Sequence, residues 1–146
     1  MLCQMAENYI PLSVQRMVLS LSNDYCEYCW YPAAFSPTSF HFDHITPLSR
    51  GGKSILENLA RACGGCNGYK QDKINHFDPV THQVCRLYHP REDLWQDYFQ
   101  WSDDDLLIIG INPIGRATVE LLQVNRQANV NLRELLKMAN LHPSKK

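Results

Sequence analysis

The chain has 146 residues, 45% hydrophobic and 20% charged, a make-up that suits a globular domain with its own core and excludes a disordered tail, a coiled coil or a fibre. Lys plus Arg number 14 against 15 Asp plus Glu, so the net charge of -1 excludes the overall positive field by which many nucleic-acid proteins are recognised. The charge is uneven along the chain, with residues 1–39 at -2, 40–75 at +2, 76–105 at -5 and 106–146 at +4, so a polyanion would meet two basic regions parted by an acidic one.

The opening Met1-Leu2-Cys3-Gln4 has no basic region followed by an apolar run, and a cytoplasmic chain is expected. No stretch nears the roughly 18 apolar residues that a bilayer crossing takes, so no membrane partner is expected. Ser13 heads the spacing Val14, Met17, Val18, Leu21, which predicts a short helix with one apolar face, stopped at Asn23-Asp24. Pro32 to Ser39 reads as a loop. Phe40 to Asp43 alternates apolar and polar side chains as a half-buried strand does, and the alternation breaks at His44-Ile45. Pro47 and Gly51-Gly52 open a long turn, Leu59 to Ala62 returns as a second strand, and a helix is predicted from Gly64 through Lys73.

Beyond Asn75, Val84 to Tyr88 and Leu106 to Ile111 read as strands, with Trp95, Tyr98, Phe99 and Trp101 as an aromatic cluster whose spacing suits burial better than base stacking. Asn112-Pro113 caps and starts a helix through Ala117, Leu121 and Leu122. Asn131 with Glu134 signals a last helix striped by Leu132, Leu135, Leu136 and Ala139, the two helices forming a hairpin on the aromatic cluster.

The six cysteines include two pairs, Cys26-Glu27-Tyr28-Cys29 and Cys63-Gly64-Gly65-Cys66, with 33 residues between the inner members. Two thiolates on each of two tight turns suit a closed tetrahedral zinc site of the structural kind. A redox role would take a single pair beside a βαβ unit, and neither the duplication nor the surroundings fit it. Cys3 and Cys85 are left as ordinary thiols.

Between and just after the pairs lie Asp43-His44-Ile45-x-Pro47, Gly51-Gly52, Asn58-Leu59, Asn67 and Lys70. In these residues, in this order, the stretch from Cys26 to Lys73 resembles the HNH endonuclease family, as an H-N-N variant with Asn67 at the final His position, of the small stand-alone bacterial type. The resemblance implies an α+β fold whose core is a ββα-metal (His-Me) finger stapled by the four-cysteine zinc site, with an added strand and helical hairpin at the C-terminus. A nuclease core over residues 1–75 and an extension over 76–146, packed on it as one unit, are then expected.

The implied activity is hydrolysis of DNA phosphodiester bonds, leaving 5′-phosphate and 3′-hydroxyl ends. His44, with an ordinary pKa of about 6.5, is the general base for water. Asp43 and Asn67 are hard oxygen ligands for one Mg²⁺ or Mn²⁺, and Asn58 fixes the loop and orients the His44 ring. Neighbours on a strand point to opposite faces, so Asp43 and His44 share a site only at a strand end or a bulge. His76 is a further metal-ligand candidate, of less weight. Arg50, Lys53, Arg61, Lys70 and Lys73 are candidate phosphate contacts, Lys70 and Lys73 lying three apart on one helix face. Two alternatives remain at this point: a non-catalytic zinc-knuckle module that binds nucleic acid, and the nuclease subunit of a larger nucleoprotein assembly. A homodimer is also left open.

Overall fold

A computed structural model of the protein describes residues 8–143. Cys3 lies outside them. The described residues form a mixed α+β structure of short strands and helices in two compact units, residues 8–74 with 89–92, and residues 75–88 with 93–143. No helix of the described residues is long and apolar enough to cross a membrane.

The first unit begins with helix α1 (Leu12–Ser22), which ends at Asn23 in the left-handed conformation. The predicted cap does not form: Pro11 precedes the first turn without a side-chain bond, and Ser13 is exposed. The buried face is also turned from the predicted one. Val18 and Ser22 are enclosed, while Met17 and Leu21 are 44% and 50% exposed. Small Ser22 lets the helix lie close, and its hydroxyl is satisfied by donating to Leu19 O. Strands β1 (His41–His44) and β2 (Leu59–Ala62) pair antiparallel, with Asp43 opposite Ala60 and His44 opposite Leu59. The strand therefore starts and ends one residue later than predicted, and the register runs through His44 without a bulge.

Between the strands the chain turns through Leu48–Arg50 into Gly51, whose φ of +85° is the left-handed region that glycine enters without cost. A Cβ on Gly52 would overlap the Thr46 backbone. Helix α2 (Gly64–Lys70) follows β2 at once. It stops three residues short of the predicted Lys73, because Gln71 adopts a positive φ of 51°. Lys73 is therefore not on the helix face of Lys70.

The second unit holds two hairpins and two helices: strands form within both predicted stretches, Val84 to Tyr88 and Leu106 to Ile111, and each pairs with a strand that was not predicted. Strands β3 (Asn75–Phe77) and β4 (Val84–Arg86) pair, as do β5 (Phe99–Trp101) and β6 (Ile108–Gly110). Helix α3 (Pro113–Leu122) starts as predicted, Asn112 Oδ1 accepting from Gly115 N at 2.8 Å with Pro at the first position. Helix α4 (Gln127–Met138) begins four residues before the predicted Asn131, which lies exposed inside it. Its buried residues include Asn129 and Arg133, whereas Leu135 is 63% exposed. Arg133 spans the interior of the unit, donating to the carbonyls of Leu106 and Val124. Phe99 of the aromatic cluster is 3% exposed and packs against Tyr88 and Trp95.

Asp78 closes the β3–β4 turn. Its carboxylate, fully enclosed, accepts two bonds from Arg116 at 2.8 Å and others from Thr81 and the backbone of Val80 and Thr81. The Arg116 guanidinium and these donors hold the Asp78 carboxyl well below the usual carboxylate range. A lowered folded pKa stabilises the fold above the unfolded value of about 3.9 and loses that stabilisation as pH falls through it. Acid unfolding followed by β3–β4 hydrogen exchange is expected to steepen below pH ~4 in the wild type, while Asp78→Asn is less stable near neutrality and shows less of this acid limb.

Candidate active site and metal centre

The cysteines come together as the spacing predicts. The four Sγ atoms all lie within 4.8 Å of one another and all four residues are buried. A tetrahedral zinc with Zn–S of about 2.3 Å puts its sulfurs about 3.8 Å apart, and the 3.6 Å between Cys29 Sγ and Cys63 Sγ suits it. The donor set and the burial fit zinc. Each pair is held on a tight turn: Trp30 N donates to Cys26 O, and Cys66 N to Cys63 Sγ. Cys63 is thus both a candidate ligand and the cap of α2.

Glu27, inside the first pair and 4% exposed, ties this turn to β2 by accepting from Arg61 N at 2.7 Å. It also receives the Arg91 guanidinium through two bonds of 2.6 and 2.8 Å, which anchors residues 89–92 to the first unit. A buried carboxylate needs such pairing.

Asp43, His44 and Asn67 line one open depression of about 310 Å³, Asp43 and His44 from the end of β1 and Asn67 from α2. Asp43 is 5% exposed. The alternation predicted for this strand is inverted, since the carboxylate rather than a phenyl ring takes its most buried place. Tyr28 donates its hydroxyl proton to Asp43 Oδ2 at 2.7 Å, and Lys70 Nζ lies 3.2 Å from that oxygen and 3.3 Å from Oδ1. Burial pushes the Asp43 carboxyl upward, while the Lys70 ammonium and the Tyr28 hydroxyl act to keep it ionised. Burial followed by the Asp43 charge pushes the Tyr28 hydroxyl well above its ordinary value, so it remains a donor.

His44 Nε2 lies 2.9 Å from Ser54 Oγ. Partial burial lowers the pKa of the ring, with the Lys70 charge adding and the Asp43 charge opposing, so the neutral imidazole is favoured. The Asn67 side chain, half-buried, makes no hydrogen bond among the described residues, and its amide oxygen is available to a ligand. A carboxylate and an amide oxygen are hard donors of the kind a divalent cation takes; here both Asp43 oxygens already meet Tyr28 or Lys70, while the Asn67 amide meets no partner among the described residues.

Asn58 anchors the loop as expected, accepting from Thr46 N at 2.7 Å and donating to the carbonyls of Thr46 and Lys53 at 2.9 Å. Those bonds use both N–H groups of its amide and one lone pair of Oδ1; the expected bond to the His44 ring is not made, and the ring meets Ser54 Oγ instead. Each backbone group released by losing Asn58 would cost about 1–3 kcal/mol.

The basic residues divide. Lys53 and Lys73 are exposed, and so is Arg50, which donates to Asp72 O. Arg61 is half-buried over the rings of Phe40 and Phe42. Lys70 is 2% exposed and donates also to His44 O at 3.1 Å, so in this structure it is a partner of Asp43 and is out of reach of a phosphate. Its placement corrects the surface role expected of it: a carboxylate as buried as Asp43 is costly without an opposite charge beside it, and Lys70 supplies that charge. His76 lies in β3 of the second unit.

Two residues of the site carried no prior signal as members of it. Tyr28 is visible in sequence only as a spacer between cysteines, and Ser54 as a small polar loop residue. Both act through partners at least ten positions away.

Residues 26–73, about one third of the chain, match the family model for HNH endonuclease. The stretch is the one in which the motifs carry the resemblance. No curated protein and no solved structure matches the chain at a significant level.

Proposed function

With the HNH endonuclease match of residues 26–73 as premise, we propose that the protein is a metal-dependent endonuclease that hydrolyses phosphodiester bonds of DNA. The observation that carries this reading is the meeting of Asp43, His44 and Asn67 at one open depression. Its finer outline is a zinc-stapled ββα-metal finger, built from β1, β2 and α2. Antiparallel pairing of β1 with β2 and the immediate start of α2 support it.

His44 takes a proton from the attacking water. For this it must be neutral, which burial favours. Asp43, steadied by Lys70 and Tyr28, and Asn67 would hold the cation, and when bound a Mg²⁺ or Mn²⁺ ion supplies positive charge to the phosphate and the departing alkoxide. The oxygen donors favour these hard ions over zinc at this second site. Arg50, Lys53 and Lys73 meet neighbouring phosphates, and the four cysteines with zinc hold β2 and α2 in place.

The test is cleavage of supercoiled DNA, linear duplex, single strands and RNA across Mg²⁺, Mn²⁺ and Ni²⁺. Nicked or linear DNA with 5′-phosphate ends, formed only with a divalent ion, is the expected result. A zinc-loaded protein that retards DNA in a gel but cuts nothing with any ion would overturn the reading in favour of the non-catalytic binding module.

A further inference from the structure

We propose that Asp72 is a further oxygen ligand of the divalent cation at the depression, supplying there the negative charge that Lys70 offsets on Asp43. The inference rests on the reading of Asp43 and Asn67 as holders of that ion and adds a residue that neither the motif nor the fold singled out.

A hard divalent ion is held by oxygen donors that include carboxylates. Among the residues lining the depression, the carboxylates are those of Asp43 and Asp72. Asp43 enters the site with its charge already met, since Lys70 Nζ lies 3.2 and 3.3 Å from its two oxygens and Tyr28 donates to one of them. Asn67 brings an oxygen without charge. Asp43, Lys70 and Asn67 together therefore present no net charge to a cation, and such a set attracts it weakly. Asp72 is in the opposite condition. Its side chain is exposed, and its carboxylate makes no hydrogen bond or ion pair among the described residues. Arg50 Nε donates to the Asp72 carbonyl at 2.7 Å, so that bond fixes the backbone and leaves the carboxylate open to a ligand.

The chain departs from regular structure to bring Asp72 to this place. On a helix continued through residue 72, its side chain would project about 140° around the axis from that of Asn67. Helix α2 stops at Lys70 instead, and Gln71 takes φ 51° and ψ -127°, the values of the first central position of a type II′ turn, closed by Lys73 N donating to Lys70 O at 3.0 Å. Glycine is the favoured occupant of that position. A residue with a side chain stays there only where its surroundings enforce it, and such strain gathers at ligand sites. The enforcing contacts are the turn's own closure and the bond from Arg50, whose neighbours Leu48 and Ser49 line the depression too. Asn67, Gln71 and Asp72 thus face one depression, although they do not share one face of a helix.

The experiment is a Mn²⁺ titration of the zinc-loaded protein without DNA, read by loss of the free-ion EPR signal, at roughly 0.05 and 0.5 M KCl. The wild type is expected to show one saturable Mn²⁺ site. Asp72→Asn is expected to weaken it about tenfold or more at both salt concentrations, at least the effect of losing an outer-shell partner of a ligand. The variant should fold as the wild type does, because the side chain is exposed and the carbonyl held by Arg50 is kept. Glu57→Gln removes an exposed carboxylate of the same unit that does not line the depression, and it is expected to bind Mn²⁺ as the wild type does. An Asp72→Asn protein with wild-type affinity overturns the proposal, and so does a wild type with no saturable site. A difference present at low salt and gone at high salt overturns it as well, since screening removes attraction through space and spares a ligand bond. If the wild type binds Mn²⁺ through Asp72 and cleaves nothing, the nuclease reading fails and the assignment of Asp72 stands.

Discussion

Replacing His44 by alanine is expected to abolish cleavage of supercoiled DNA with Mg²⁺ or Mn²⁺, a loss of about 10²–10⁴-fold for a general base, while zinc content and fold persist. The second half of that expectation follows from where His44 sits. Its ring is half-buried at the end of β1 and shares one hydrogen bond with a serine hydroxyl among the described residues, and its backbone pairing with Leu59 does not depend on the side chain. Removing the ring costs about one net hydrogen bond, on the order of 1 kcal/mol, which a urea midpoint would register as a small shift. Asp43 behaves differently: Asp43→Ala leaves Lys70, 2% exposed, without its carboxylate, and a fall in activity there would be mixed with a fall in stability. His44 is therefore the cleaner probe. Cleavage by the alanine variant at the wild-type rate would sink the proposed mechanism.

The second large effect is expected from the cysteines. Stripping metal with a chelator, or exchanging Cys66 for Ser, should cost the protein one bound zinc and unfold the first unit. Apparent binding energies of structural zinc, about 10–16 kcal/mol in small fingers, equal or exceed the whole stability of a typical domain, about 5–15 kcal/mol. The unit has little else of comparable strength, since its enclosed apolar side chains are few and several are the cysteines themselves. Hydrogen exchange would read the effect locally. Amides of β1, β2 and α2 should lose protection without zinc and regain it when zinc returns. An apo protein with the same protection in those elements would overturn the structural role.

The features that sequence made legible are those whose signal is local or strongly spaced. The two cysteine pairs announce themselves by spacing. Asn112-Pro113 announces α3, because cap and first turn are decided within four residues. Asp43, His44 and Asn67 were legible as a set through the family pattern.

What escaped depends on partners distant in sequence. The apolar spacing of α1 allowed a face through Met17 and Leu21 as well as one through Val14, Val18 and Ser22, and the first unit selected the second because a small residue permits close approach. Strand β3 is three residues long and owes its existence to pairing with β4. Helix α4 starts at Gln127, ahead of the Asn131 signal, and its buried Asn129 and Arg133 both donate to Val124 O, a partner that local spacing does not announce. Lys70 reads as a surface cation on any helix wheel, and only a carboxylate 27 positions earlier draws it inside.

That inward turn of Lys70 alters how strongly ionic strength can act on the protein. Binding of a polyanion weakens with salt in proportion to the phosphates it neutralises, log K falling by about 0.9 per contact. A lysine sealed against Asp43 takes no part in that exchange, and Arg61 is half-buried over two phenyl rings. Arg50, Lys53 and Lys73 are left as the exposed cations of residues 40–75. The salt slope this segment can generate is then roughly -3 at most, so a fourfold rise in salt would weaken a complex held here by about 40-fold, against the roughly 10³–10⁵-fold lost by proteins that make six to ten phosphate contacts.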